Sequence, residues 1–186
     1  MSAHDPNVLP ADLPVPEDDG ACDHLPGLGL PPVELAATDG SVVRLDAQDR
    51  AIVFAYPRTG VPGEDPLVAD WDAIPGARGC TPESCGFRDL HSDLLAAGAG
   101  AVFGLSTQDS EYQREAAERL RLPYLLLSDA DLELVKALRL PTFDAAGQTL
   151  MKRFTLVISD DAIEHVFYPV FPPDAHAEDV LSWLRG

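Results

Sequence analysis

Cys80 and Cys85 are two of only three cysteines in a chain of 186 residues, and both lie in the stretch RGCTPESCGFRDL, Arg78 to Leu90. A thiolate can act as nucleophile, metal ligand or redox centre, and its neighbours decide which. Thr81 and Pro82 read as the N-cap and first position of a helix, with Glu83 suited to the positive end of its dipole. Unpaired N–H groups at such a terminus favour thiolate. Cys80, just before or within the first turn, is therefore the better nucleophile. Cys85, one turn deeper, reads as its partner. Arg78 adds a nearby cation, although a loop arginine is ordinarily just solvated.

The spacing sets a second limit. Residues five apart in an α-helix are about 8–9 Å apart at Cα and point about 140° apart around the axis. A disulfide needs Cα atoms within ~7 Å. Either the two thiols never meet, or the first helical turn unravels when they do, which makes a redox switch with two conformations. Plainer chemistry competes. Taken alone, Cys85 reads as a small buried hydrophobe. Zinc would need two more ligands; Cys22 and His24 form a Cys-x-His pair far away, with no Cys-x-x-C to support it. No Gly-x-Ser-x-Gly elbow, P-loop or Gly-x-Gly-x-x-Gly is present, so neither a metal nor a cofactor is expected. His4, His24, His91, His165 and His176 are scattered and read as structural or exposed.

The elements that must position these thiols follow from periodicity. Residues 1–26 are rich in Pro and Asp and read as an extended, partly disordered arm; residues 27–186 read as one domain. VELAATDGSVVRL is two alternating runs around Asp39-Gly40, a two-residue hairpin signal. AIVFAYP is a strand buried on both faces. Residues 58–79 are rich in Gly and Pro without a period, and a loop of that length leading directly to Cys80 favours a functional role. Phe87, Leu90, Leu94 and Leu95 continue the Cys80 helix. GAGAVFGLS and YLLLSD read as strands, DSEYQREAAERLRL, DADLELVKALRL and HAEDVLSWLRG as helices. QTLMKRFTLVISDDAIEHVFYPV reads as two strands joined at Asp160-Asp161. The order β-α-β-α-β-α, hairpin, α implies an α/β fold with a mixed central sheet between helices, the thioredoxin-like arrangement.

Composition narrows the partners. Apolar residues make up 46% of the chain, enough for a core. The net charge of −18, from 31 acidic and 13 basic residues, disfavours nucleic acid and anionic membranes. The N-terminus lacks a basic n-region and an apolar h-region, so no signal peptide is expected. No apolar run approaches a bilayer span. A cytoplasmic protein is the expectation.

The segment GCTPESCGFRDL resembles the active-site segment of peroxiredoxins, in particular the bacterioferritin comigratory protein (peroxiredoxin Q) group. AIVFAYP is similar to the strand leading into that site, VFGLSTQD to the family's Val-x-Gly-x-Ser-x-Asp strand end, LPYLLLSDADLELVKAL to its Leu-Pro-Phe-x-Leu-Leu-Ser-Asp segment, and KRFTLVI to the strand that carries its arginine. The resemblance runs from about Pro31 to Gly186 and implies a thioredoxin-like three-layer fold with an N-terminal β-hairpin. It implies a thiol peroxidase in which Cys80 is the peroxidatic nucleophile, Arg153 stabilises thiolate and peroxide, and Cys85 resolves the sulfenic acid as an intramolecular disulfide, with thioredoxin or another dithiol as reductant. The group is often monomeric; an inserted loop can create a dimer contact.

One departure is specific to this chain. The family places Pro seven and Thr three residues before the nucleophile, where this chain has Ala73 and Ala77. Pro57 and Thr59 stand earlier, where the motif begins. An insertion of about twenty residues accounts for this, with Pro57 shielding the site and Thr59, or else Thr81, supplying the hydroxyl. Trp71 within the insertion covers the site, forms a subunit contact or packs in a core. Cys22 is an alternative resolving thiol or a spare cysteine. Two other functions stay open: a redox sensor or disulfide carrier with slow peroxide turnover, and a non-enzymatic interaction protein using the inserted loop. Neither the preferred peroxide nor the identity of the reductant is legible.

Overall fold

The computed structural model describes residues 5–186; His4 lies outside them. The strands are β1 (Glu34–Ala37), β2 (Val42–Arg44), β3 (Arg50–Ala55), β4 (Ala101–Ser106), β5 (Leu125–Ser128), β6 (Thr142–Ala145), β7 (Gln148–Met151), β8 (Phe154–Ser159) and β9 (Ala162–Phe167). The helices are α1 (Cys80–Asp89), α2 (His91–Ala96), α3 (Ser110–Arg119), α4 (Glu133–Leu138) and α5 (His176–Leu184). Seven strands form one sheet in the order β2-β1-β5-β4-β3-β8-β9, and β6 and β7 pair separately. β3 runs parallel to β4, and β4 to β5, while β3–β8, β8–β9, β1–β5 and β1–β2 are antiparallel. This is the expected mixed sheet.

β3 is buried on both faces because its alternate residues serve two cores. Ala51, Val53 and Ala55 face one cluster, with Leu134 and Leu138 of α4 and with Leu25 and Cys22 from the N-terminal segment. Ile52, Phe54 and the following Tyr56 face the other, with Phe87 of α1, Leu94 of α2, and Val180 and Leu181 of α5. Phe54 stacks on Phe87 with centroids 4.3 Å apart. The strand that ends at the site is thus pinned from both sides, and so is the helix that begins at Cys80.

Several expectations are corrected. The β1–β2 loop has three residues, since the Ala37 N–H donates to Ser41 O at 2.9 Å and Gly40 takes the left-handed conformation at φ 86°. The continuous helix through Leu95 breaks at Leu90 into α1 and α2. The β6–β7 hairpin was unanticipated. It separates Gln148–Met151 from β8 at Lys152-Arg153, and that break turns Arg153 out of the strand. Asp160-Asp161 does form the β8–β9 turn, with both residues at positive φ. The arm is not disordered over residues 5–26: Cys22 and Leu25 are core residues, and Asp19 accepts from Tyr168 Oη at 2.7 Å and pairs with Lys152 Nζ at 2.8 Å. The arm also continues into backbone pairing, with Gly27 N–H on Ile163 O at 2.8 Å.

Candidate active site

Cys80 is the first residue of α1. Thr81 does not cap it. The cap position is Gly79, at φ 109° and without a side chain to bond the helix N–H groups. Glycine is required there twice over: the conformation is left-handed, and a Cβ would collide with Pro173 and press on Leu9 of the arm. Cys80 is 3% exposed.

Arg153, turned in by the β7–β8 break, is buried against the start of α1. Its Nη2 lies 3.2 Å from Cys80 Sγ and 3.2–3.3 Å from the carbonyl oxygens of Gly76, Ala77 and Arg78. Its Nη1 donates to Glu83 Oε2 in a fully buried ion pair. Glu83, read from the sequence as a dipole complement, instead points into the site and holds the guanidinium. Only the fold could show this, because Glu83 shares a turn with Cys80 and meets Arg153 from 70 positions away.

Thr59 returns to the same place, whereas the contact of Pro57 is with β4, its carbonyl oxygen accepting from Ser106 Oγ at 3.1 Å. The Arg58 backbone amide is directed at Cys80 Sγ, and Thr59, Gly79, Cys80 and Thr81 line one cavity. Thr59 Oγ1 and Thr81 Oγ1 are both buried without a hydrogen-bond partner. The Pro57–Gly60 segment is clamped by α3 and the turn before it. Tyr112 Oη donates to Thr59 O at 2.6 Å, Arg119 Nη2 to Gly60 O at 3.0 Å, and Arg58 Nη1 to Gln108 Oε1 at 3.2 Å. The Arg58 guanidinium also lies 4.4 Å from the centre of the Tyr112 ring. The intervening residues loop out and pack their own small core, in which Trp71 joins Ala77, Ala145 and Leu150.

Arg78 is buried, not solvated. It pairs with Asp72 at 3.1 Å and donates to the carbonyl oxygens of Asp5 and Val8. Cys85 lies within the intact α1 and is half-buried; no disulfide is formed. Cys22 is remote from this site, and burial together with Asp19, Asp18 and Asp23 pushes its thiol up to about 12. Among the described residues no cluster of three or more His, Cys, Asp or Glu could hold a metal.

The electrostatics revise the expectation of a simply lowered thiol. Burial pushes Cys80 up, while Arg153 and the Arg58 N–H pull it down. The thiolate here depends on its arginine. Burial also raises Glu83 to about 7, against the pull of Arg153. A neutral His176, its Nε2 2.7 Å from Thr155 Oγ1, stands behind Phe87. Burial and Arg153 hold it down at about 3.

The Glu83 shift has a measurable sign. An unfolded glutamate titrates near its ordinary value, so between about 4.5 and about 7 the folded state binds the extra proton. Its contribution to stability is then fully present below about 4.5 and is lost as pH rises through about 7. In thermal melts of wild type and Glu83→Gln, the difference in Tm (wild type minus variant) should decline over that window and level off above it. A constant difference across the window would refute the shift.

The family model described as Redoxin matches residues 25–181. Peroxiredoxin Bcp of Escherichia coli strain K12 is 32% identical over 165 residues, 83% of this chain and 92% of that protein. Chloroplastic peroxiredoxin Q of Sedum lineare is 30% identical over 159 residues, covering 84% and 75% respectively. Peroxiredoxin bcp1 of Schizosaccharomyces pombe is 32% identical over 138 residues, 72% of this chain and 62% of that protein, so the chain spans under two thirds of its length. Among solved structures, peroxidoxin BcpB from Mycobacterium tuberculosis superposes with a TM-score of 0.67 at 28% identity, over 87% of this chain and 97% of that one. With the thioredoxin-like sheet, a buried thiol at a helix start and an arginine on its sulfur already in place, these matches identify the chain as a member of the redoxin family and, within it, a peroxiredoxin of the Q/Bcp kind.

Proposed function

We propose that this peroxiredoxin reduces peroxides through Cys80, with Cys85 as resolving thiol and Arg153 and Thr59 as the groups that bind and polarise the peroxide. The observation that carries the reading is the buried contact of Arg153 Nη2 with Cys80 Sγ at 3.2 Å. The Cys80 thiolate attacks one peroxide oxygen and the O–O bond breaks. Sulfur keeps that oxygen as sulfenic acid, and the leaving oxygen takes a proton to become water or an alcohol. Negative charge grows on the leaving oxygen, where Arg153 stabilises it. Thr59 supplies the hydroxyl. Its Oγ1 is buried and unpartnered, it follows the residue whose amide faces Sγ, and α3 fixes its carbonyl. Pro57 closes the site from the strand side.

Resolution requires α1 to open. While the helix is intact the two thiols are held too far apart to bond. When its first turn melts, the Cys85 sulfur attacks the sulfenic sulfur and expels water. Thioredoxin or a similar dithiol then returns the two electrons by exchange. Both thiols belong to one helix, so a monomer completes the cycle. Among the described residues no helix is long and apolar enough to cross a membrane; the cytoplasm is the proposed location. The Q/Bcp kinship favours turnover over the sensor reading.

A thioredoxin-coupled assay tests this. Sustained peroxide consumption is expected, and Thr59→Val should lower kcat/KM by roughly 100-fold, with Thr59→Ser retaining most of it. A single equivalent of oxidation without recycling would support the sensor. Loss in Thr81→Val but not in Thr59→Val would move the hydroxyl to Thr81.

A further inference from the structure

We infer that the inserted segment and the N-terminal arm make this a site for the smallest peroxides, with Leu67 and Trp71 as the residues that exclude branched organic hydroperoxides. The inference rests on the reading of Cys80 as the peroxidatic thiol. It starts from the space above that thiol. The cavity that reaches Cys80 measures about 30 Å³ and is walled by Thr59, Gly60, Leu67, Trp71, Tyr112 and, from the arm, Pro6. A single water needs about 10–15 Å³ on this measure. The cavity therefore admits two to three water-sized centres beside the sulfur, the dimensions of hydrogen peroxide, and it opens to solvent only past the exposed Glu64 and Asp65. In an organic hydroperoxide the branched carbon lies one bond from the reacting oxygen pair, so its substituents fall on the wall.

That wall is fastened. Trp71 is 5% exposed and packs in the small core with Ala77, Ala145 and Leu150, its ring 6.3 Å from that of Phe143. Arg78 ties the insertion through Asp72 at 3.1 Å and the arm through the carbonyl oxygens of Asp5 and Val8. Leu9 lies where a side chain on residue 79 would be. Arg119 holds Gly60 O on the opposite side. Admitting a cumyl or tert-butyl group means displacing one of these contacts, and forced widening of a packed site is unfavourable. The insertion that splits the active-site motif thus also sets its specificity.

The test compares kcat/KM of the full chain for hydrogen peroxide, tert-butyl hydroperoxide and cumene hydroperoxide in the thioredoxin-coupled assay. Hydrogen peroxide should be preferred over cumene hydroperoxide by roughly 100-fold, the scale set by differential transition-state binding in a narrow pocket. Leu67→Ala and Trp71→Leu should each raise the cumene-to-hydrogen-peroxide ratio by about tenfold. Leu67→Ala trims only a half-buried side chain, so a folding defect in Trp71→Leu leaves the test intact. Wild-type rates for the two peroxides within about threefold would overturn the inference, as would a preference that both variants retain. Consumption of neither peroxide would overturn the peroxidase reading itself, and this inference with it.

Discussion

Cys80→Ser is expected to abolish peroxide-dependent turnover, because a serine hydroxyl in that position has neither the acidity nor the nucleophilicity to attack an O–O bond. Cys85→Ser is expected to behave differently. It should consume one equivalent of peroxide at the wild-type rate and then stall as sulfenic acid. Intact mass and peptide mapping after one equivalent of hydrogen peroxide make the distinction. Wild type should lose two hydrogens in a Cys80–Cys85 link, Cys85→Ser should gain one oxygen on Cys80, and Cys80→Ser should remain unchanged. Cys22 is no competitor, since its thiol is held protonated by burial and three aspartates. A Cys80–Cys22 link in wild type would overturn the assignment of the resolving thiol. An oxidised Cys80→Ser would overturn that of the nucleophile.

Arg153 is expected to give the second large effect, and a composite one. Arg153→Met should lower kcat/KM by about 10³-fold, the scale lost when a preorganised charge partner of the transition state is removed. It should also destabilise the fold by about 3 kcal/mol, because Glu83 loses its buried partner and must either carry an unpaired charge or take up a proton. The two losses separate in the double variant Glu83→Gln/Arg153→Met. There the ionisable carboxyl that lost its partner is gone and part of the stability should return, while the activity should not. Thermal melts and steady-state kinetics on the same preparations check this. Recovery of activity in the double variant would mean that Arg153 acts only by holding the helix.

Much of the fold was legible because its central strands are apolar on both faces. AIVFAYP and GAGAVFGLS have the length and composition of strands that no surface position would tolerate. The β6–β7 hairpin was not legible. Thr-Phe-Asp-Ala is short and only partly buried, and its turn is Ala146-Gly147, not one of the stronger hairpin pairs. Of the proposed site, Cys80 and Cys85 could be picked out from residue type and spacing, and Pro57, Thr59 and Arg153 from the resemblance of the segments that carry them. Glu83, Tyr112, Arg119 and the buried state of Arg78 could not. Each acts through a partner more than fifty positions away, or at least through a contact that no local pattern encodes. The N-terminal arm misled for a related reason. Its composition is that of a disordered segment, yet two buried apolar residues, one ion pair and a few hydrogen bonds are enough to seat it on a body already folded.

The five contacts of Arg153 at the start of α1 have a consequence for how that helix can move. One guanidinium meets the sulfur of Cys80, the carboxylate of Glu83 and three successive carbonyl oxygens from residues 76–78. A helix end held by separate bonds frays one residue at a time, but here every bond shares the same rigid donor. If Cys80 swings out toward Cys85, the geometry that satisfies Glu83 and the three carbonyls is disturbed together. The turn therefore behaves as a latch with a closed and an open position, and the sulfur on which the chemistry occurs is one of its catches.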